Sequence, residues 1–120
     1  MSYDETNIFA HILRGDIPCT KILEDEHCLA FADINPAAPV HVLVIPKGSY
    51  IDWSDFAQNA TDKEQAAFTR MIHKVAETTG ILETGYRVVS NIGQNGHQEV
   101  PHLHAHVLGG APIGPMVSSR

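Results

Sequence analysis

Apolar residues recur along the chain at two spacings, about every second residue and every third or fourth residue, and the longer spacing predicts helices. From Asn7 to Leu13, the apolar positions 8, 9, 12 and 13 fit a short amphipathic helix that ends near Gly15. From Thr61 to Thr79, the apolar positions 68, 71, 72, 75 and 76 line one face of a longer helix. Thr61 and Glu64 form a capping-box pattern at its start. One short and one long helix are therefore expected.

Five other segments predict strands, because they are short and bounded by turn-forming residues, and the strongest of them, Val40–Ile45, is also rich in β-branched residues. They are Thr20–Glu24, Cys28–Asp33, Val40–Ile45, Tyr86–Asn91 and Val100–Leu108. Hairpin-length turns join several neighbours, which favours an α+β domain with a mainly antiparallel sheet. A chain of 120 residues is too short for two ordinary domains, so a single domain over residues 1–120 is expected.

The net charge limits the classes of partner that this chain can bind, and the cysteines indicate its cellular compartment. The formal net charge is −6, which disfavours duplex nucleic acid and anionic membranes as partners, since both need a cationic face. No apolar run approaches the roughly 20 residues of a membrane-spanning helix. The acidic start of the chain is unlike a signal peptide, and two cysteines without a Cys-x-x-Cys spacing suit a reducing interior. The expected location is the cytoplasm.

The chain contains eight histidines, and three of them alternate with apolar residues in one predicted strand. Alternate side chains of a strand share a face, so His102, His104 and His106 are expected to project together. Such a row can converge on a metal ion, or it can supply a nucleophile with helpers. A solvated row without a role is less expected, because packing does not require three histidines on one face.

A fourth histidine, His41, interrupts the otherwise apolar strand Val40–Ile45. An unpaired buried polar group costs roughly 1–3 kcal/mol, so this imidazole is expected to have a partner. That partner could be one of the three histidines. A hydrogen-bonded core histidine without a functional role is about as compatible with the spacing.

The string His-Leu-His-Ala-His-Val-Leu resembles the signature of the histidine triad (HIT) superfamily, His-φ-His-φ-His-φ-φ with φ apolar. Further segments are similar to its histidine-triad nucleotide-binding (HINT) branch, among them Ile8-Phe9, Asp33-Ile34, Gly85-Tyr86-Arg87 and Gly109-Gly110. Gln98-Glu99-Val100 and the segment from Pro112 to Met116 resemble bacterial members. The resemblance implies a five-stranded antiparallel sheet, which a homodimer would extend to ten strands. It also implies hydrolysis of purine nucleoside phosphoramidates without a cofactor.

By this resemblance, the candidate catalytic residues are His104 as the nucleophile, His102 as its orienting partner, His106 as a phosphate ligand, and His41. The resemblance also implies a purine nucleotide partner, held by a set of binding residues. An apolar sandwich for the base is expected from Ile8, Phe9, Phe31 and Ile34. Asp33 would bind the ribose, and Asn91, His97, Gln98 and Glu99 would line the phosphate and leaving-group side. Core packing is the alternative reading for the apolar members.

Three positions depart from the family pattern. His97 stands where glycine is common, Pro101 replaces an aromatic residue, and Glu99 replaces the serine of eukaryotic members. Some bacterial members bind zinc through a Cys-x-x-Cys that corresponds to Asn7 and Ala10 here, so no structural zinc is expected. Two other functions stay open. One is metal binding by the three histidines, and the other is a nucleotide-binding interaction module with vestigial catalysis.

Overall fold

The structure is a computed structural model that describes residues 2–117. The predicted domain range also includes Met1 and residues 118–120, which lie outside the described residues. In chain order the helices are α1 (Ile8–Leu13), α2 (Trp53–Asn59) and α3 (Asp62–Thr78). The strands are β1 (Lys21–Glu24), β2 (Cys28–Ala32), β3 (Val40–Pro46), β4 (Tyr86–Val89) and β5 (Ala105–Gly109).

The five strands form one sheet in the order β1-β2-β3-β5-β4, and every neighbouring pair is antiparallel. The predicted α+β fold with a five-stranded antiparallel sheet is confirmed. The central pair, β3 and β5, brings His41 and Val42 opposite Leu108 and Val107. This pairing places residues that are more than 60 positions apart in sequence side by side.

Each face of the sheet has its own apolar cluster. The cluster beneath the long helix α3 contains Ala30, Val42, Val44, Phe56, Phe68, Met71, Val75, Ala105 and Val107. The cluster beneath α1 contains Phe9, Leu29, Phe31, Leu43 and Ile45. Because side chains alternate along β5, His106 lies on the α1 face while Ala105 and Val107 face α3. His104, just before the strand, also lies on the α1 face, where it contacts Phe9.

Helix α2 is a short helix that the sequence pattern did not predict. Asp52 caps it by accepting a hydrogen bond from the Asp55 backbone at 2.8 Å. Phe56 is its one buried side chain, so the helix has almost no apolar periodicity to detect. The capping box of Thr61 and Glu64 at the start of α3 is present as predicted.

The strand predicted over Val100–Leu108 is shorter than expected, since β5 begins at Ala105. Pro101 has no backbone N–H to give to a neighbouring strand. The His102 backbone N–H turns back to the Val100 carbonyl at 2.8 Å, and the Leu103 N–H donates to Tyr50 instead of to a strand. His102 and His104 therefore lie on an irregular segment that leads into the strand.

No helix of the described residues is long and apolar enough to cross a bilayer. Cys19 and Cys28 are both free thiols, the first exposed and the second buried. Burial raises the pKa of the Cys28 thiol to about 12, so it is an inert core residue.

Candidate active site

A cleft of about 450 Å³ opens on the sheet face that α1 covers. This volume lies within the usual range of roughly 300–1,000 Å³ for small-molecule sites. Four of its apolar walls are the predicted Ile8, Phe9, Phe31 and Ile34. Phe9 and Phe31 are buried, whereas Ile8 is 45% and Ile34 88% exposed at the rim. An isoleucine so exposed beside a cleft is more consistent with contact to a ligand than with core packing.

The polar residues of the cleft cluster around the histidines. Those that line it are Asp33, Asn35, Asn91, His97, Glu99, His104 and His106. Gln98 does not line it, contrary to the expectation from the resemblance. Its side-chain nitrogen donates to the Ile51 and Val100 carbonyls at 2.7 and 3.0 Å, and its oxygen accepts from the Gly93 backbone. Gln98 therefore holds the loop that carries its neighbours.

His104 is only 6% exposed, and one of its ring nitrogens is hydrogen-bonded to the backbone. Nδ1 lies 2.7 Å from the His102 carbonyl. A carbonyl only accepts, so Nδ1 carries the proton and Nε2 keeps a lone pair. Burial lowers the pKa of His104, while the bond to the carbonyl opposes that shift. The ring is thus neutral at pH 7, with a basic nitrogen. Phe9 packs edge-on against it with ring centroids 5.0 Å apart.

His106 has the opposite proton arrangement. The Ala37 backbone N–H donates to His41 Nδ1 at 3.0 Å, so the ring proton of His41 is on Nε2. His41 Nε2 lies 2.9 Å from His106 Nδ1 and donates to it. The proton of His106 is therefore on Nε2. Burial, together with the neighbouring histidines, lowers the pKa of His106 to about 4, so this neutral form persists at pH 7.

Asp33 contacts this pair of histidines from the end of β2. One carboxylate oxygen accepts the Asn35 backbone N–H at 2.8 Å. The other lies 3.4 Å from His41 Nε2. The partner of His41 is thus His106 together with Asp33, which settles the question left open by the sequence: His41 is hydrogen-bonded to a triad member.

His102 is fully buried and does not line the cleft. Its Nε2 donates to the Pro46 carbonyl at 2.9 Å, and its Nδ1 contacts the Tyr3 hydroxyl. The hydrogen bond expected between His102 and His104 is made by the backbone carbonyl of His102, and not by its imidazole. Burial lowers the pKa of His102 to about 4. Since both ring nitrogens are engaged, His102 does not join His104 and His106 around one metal ion.

A different set of potential ligands lies close together. One ligand atom each from Asp33, His41 and His106 lies within 4.8 Å of the others. A metal there would have to displace the proton between His41 and His106, because His41 already uses both nitrogens. The hydrogen-bonded arrangement fits these residues better than a metal site does.

The backbone at His97 has a conformation that glycine adopts more readily than other residues. His97 has φ = 60°, in the left-handed region that side chains with a Cβ disfavour by roughly 1–2 kcal/mol. Its exposed imidazole lies 3.1 Å from the Glu99 carboxylate, also exposed. The His97 side chain thus adds a polar group at the cleft, hydrogen-bonded to Glu99.

Comparison with known proteins decides the family. A family model described as the HIT domain matches residues 14–113. The chain belongs to the HIT family. This confirms the family predicted from the histidine strand, and bacterial relatives support the bacterial branch.

Three relatives show how far the likeness of this HIT protein extends. A 13.2 kDa HIT-like protein of Azospirillum brasilense is 56% identical over 117 residues, 98% of this chain and 96% of its own. An Escherichia coli K12 protein named purine nucleoside phosphoramidase is 40% identical over 119 residues, 97% of each chain. A solved HIT family hydrolase from Clostridium thermocellum has a TM-score of 0.86 and 40% identity, covering 96% of this chain and 99% of that one. The chain is a HIT-family hydrolase.

Sequence reasoning missed part of this HIT site. Additional cleft residues are Ile12, Ile17, Pro18, Cys19, Ala32, Leu43 and Val100. Tyr3, Asn7, and the backbone groups of Ala37 and Pro46 complete the hydrogen bonds of the histidines. The backbone groups have no signal in the sequence, because every residue has a carbonyl and nearly every residue an N–H.

Proposed function

We propose that this HIT-family hydrolase cleaves the P–N bond of purine nucleoside phosphoramidates through a covalent nucleotidyl-histidine intermediate. The observation that carries the proposal is the opposite proton placement on two imidazoles of one cleft. His104 offers a lone pair at Nε2, and His106 offers an N–H at the same ring position. The Escherichia coli relative, named purine nucleoside phosphoramidase, supports the substrate class.

The residues supply the parts of a two-step displacement at phosphorus. His104 Nε2 forms a bond to phosphorus, the P–N bond of the substrate breaks, and the departing amine takes up a proton from solvent, which the attacking water of the second step returns. Positive charge then develops on the His104 ring, and the His102 carbonyl at Nδ1 stabilises it. His106 Nε2–H donates to a phosphate oxygen, which offsets the negative charge. Water next attacks phosphorus, which releases the nucleoside monophosphate and restores neutral His104.

The cleft walls suit the rest of a nucleotide. Ile8, Phe9, Phe31 and Ile34 would enclose the purine between apolar surfaces. The remaining lone pairs of the Asp33 carboxylate would accept from the ribose hydroxyls. Asn91, His97 and Glu99 would border the phosphate and the leaving group. No cofactor is part of the proposal, because the imidazole itself is the nucleophile.

Intact-protein mass spectrometry during turnover tests the proposal. Full-length protein is mixed with adenosine 5′-phosphoramidate and quenched at millisecond times. We expect a mass increase equal to one adenylyl group and its loss on hydrolysis. In His104→Ala we expect no adduct and a fall in kcat of at least about a thousandfold. His73→Ala, an exposed histidine on α3, is the control and should match wild type.

Other results would favour the alternatives. Full turnover in His104→Ala would overturn the proposed nucleophile. Tight binding of adenosine monophosphate with no adduct in wild type would indicate an interaction module. Stoichiometric zinc in purified protein, lost in His41→Ala, would instead indicate a metal site at Asp33, His41 and His106.

We also propose a homodimer that joins two copies of the sheet along β4. This strand is at the edge of the sheet, so its outer backbone groups have no strand partner within the described chain. Val88 on β4 is 38% exposed, which adds apolar surface to that edge. Analytical ultracentrifugation tests this, and a monomer at micromolar concentration would contradict it.

The two free thiols fit a reducing compartment, so we propose the cytoplasm.

A further inference from the structure

Tyr3 contacts the triad from a segment 99 residues away in sequence. Its hydroxyl is hydrogen-bonded to His102 Nδ1, and the two rings meet edge-on with centroids 5.6 Å apart. His102 is fully buried and Tyr3 is partly exposed, so this bond reaches from the N-terminal segment at the surface to a buried ring. The contact joins the N-terminal segment to the irregular segment before β5.

The direction of each hydrogen bond in this group is fixed. The Pro46 carbonyl accepts from His102 Nε2, so His102 Nδ1 has a lone pair and the Tyr3 hydroxyl donates to it. Asn7 Nδ2 donates to the same hydroxyl oxygen at 2.9 Å. Burial raises the pKa of Tyr3, which keeps the phenol protonated at neutral pH. The bonds thus run one way, from Asn7 through Tyr3 and His102 to Pro46.

Two members of this chain of bonds, His102 and Asn7, connect to cleft residues. The His102 carbonyl accepts the Nδ1 proton of His104 at 2.7 Å. Asn7 caps α1, since its side-chain oxygen accepts from the Ala10 backbone at 2.9 Å. Helix α1 carries Phe9, which packs on the His104 ring. The position of the His104 ring therefore depends on two elements that Tyr3 connects.

We propose that Tyr3 is a positioning residue that fixes the tautomer and placement of His102, and through its carbonyl the orientation of His104. The effect on activity rests on the proposed phosphoramidate hydrolysis. Without the hydroxyl, His102 Nδ1 is a buried acceptor without a donor. A buried group left in this state is unstable, so the ring rotates, changes tautomer or admits water. Each response shifts residue 102 and with it the carbonyl that holds His104.

Tyr3→Phe removes one oxygen atom and is the test of this proposal. We expect kcat for adenosine 5′-phosphoramidate to fall by on the order of tenfold with KM near wild type, because His104 is misaligned in the reacting complex. The matched control is Tyr50→Phe. The Tyr50 hydroxyl also bonds to a side chain, Glu64 at 2.8 Å, but contacts no triad histidine. It should lose stability without losing kcat.

Nitrogen-15 NMR of the histidine rings gives a readout that is independent of turnover. In wild type we expect His102 with protonated Nε2 and unprotonated Nδ1, and a changed Nδ1 shift in Tyr3→Phe but not in Tyr50→Phe. A wild-type His102 protonated at Nδ1 would overturn the proposal even if the variant fails to fold. Wild-type kcat and unchanged shifts in Tyr3→Phe would do the same. If the protein hydrolyses no phosphoramidate but the shift changes as expected, the positioning role stands and the proposed function fails.

Discussion

His104 and His106 carry the same side chain, and their neighbours give the two rings opposite properties. A carbonyl holds the Nδ1 proton of His104, so its other nitrogen is a base. His41 donates to Nδ1 of His106, so Nε2 of His106 carries the proton and is a hydrogen-bond donor. The source of this second arrangement is the Ala37 backbone N–H, which sets the tautomer of His41. Hydrogen-bond polarity thus passes through two rings to the cleft.

Substituting His41 tests whether this polarity matters. In His41→Leu the donor to His106 is lost, so the His106 proton can occupy either nitrogen. We expect the rate of adduct formation to fall by on the order of tenfold, because the His106 Nε2–H is no longer held toward the phosphate and a hydrogen bond to a charged group contributes about 1.5–3 kcal/mol. His41→Gln should recover part of the rate, because its amide N–H can occupy the place of His41 Nε2. Single-turnover kinetics measure both variants, and equal rates for Leu and Gln would contradict the relay.

At this scale the sequence revealed the residues whose side chains form a pattern. Alternation with apolar residues identified His104 and His106, and the interruption of an apolar strand identified His41. Tyr3 had no such signal, because its contact with His102 depends on how the chain folds back over 99 residues. Gln98 was assigned to the cleft by resemblance, but its amide holds the loop instead.

Elements were predictable wherever one face is buried. The β-branched run of β3 and the apolar face of α3 both correspond to buried rows in the structure. Helix α2 has one buried residue, Phe56, and so left no periodic trace. The predicted strand Val100–Leu108 began too early, since β5 begins at Ala105. Histidine and apolar residues alternate through 102–104, but the backbone there makes no hydrogen bonds to a neighbouring strand. Pro101 was the available warning, since it lacks a backbone donor.

The end of β5 must be glycine for a reason of packing. Gly109 pairs with Val40 on β3 and Tyr86 on β4. A Cβ there would lie 2.8 Å from Ile81 Cδ1 and 3.2 Å from Ile81 Cβ and Cγ2. Ile81 is 2% exposed, so it has little room to move. Since overpacked cores lose about 1–3 kcal/mol, Gly109→Ala is expected to lower the free energy of unfolding by that amount.

A double-mutant cycle measured by urea denaturation checks this explanation. Ile81→Val alone removes Cδ1 and should cost about 0.5–1.5 kcal/mol. In the double variant Ile81→Val removes the shortest contact of the new Cβ. The total loss in free energy of unfolding should therefore be smaller than the sum of the two single losses by about 0.5 kcal/mol or more. Strict additivity would show that the cost of Gly109→Ala has another origin.

For the whole molecule, the acidic charge and the neutral histidines belong together. A net charge of −6 offers no general attraction for a phosphate. The cleft itself adds the carboxylates of Asp33 and Glu99. Binding must then rely on local N–H donors and apolar walls. Neutral, buried imidazoles suit this, because they attack phosphorus without first losing a proton.

Keeping those imidazoles neutral makes the stability of the fold depend on pH. The pKa values of His102 and His106 are held at about 4 in the folded state, mainly by burial, against 6.5 for the free side chain. Between these values the unfolded chain binds protons that the folded chain does not. Stability is therefore complete above about pH 6.5 and is lost as the pH falls toward about 4. For the fully buried His102 the loss approaches about 3 kcal/mol.

Urea denaturation at pH 7.0, 6.0 and 5.0 measures this loss. Carboxylates stay largely ionised over that interval, since their unfolded pKa values are about 4, so the slope reports mainly on histidines. We expect the free energy of unfolding to fall steadily in wild type and less steeply in His102→Asn. His73→Gln, which alters an exposed histidine on α3, should retain the wild-type slope. A flat profile in wild type would mean that His102 and His106 accept protons in the folded state as readily as in the unfolded chain. In that case the neutral nucleophile inferred for His104, which lies between them, would need a different explanation.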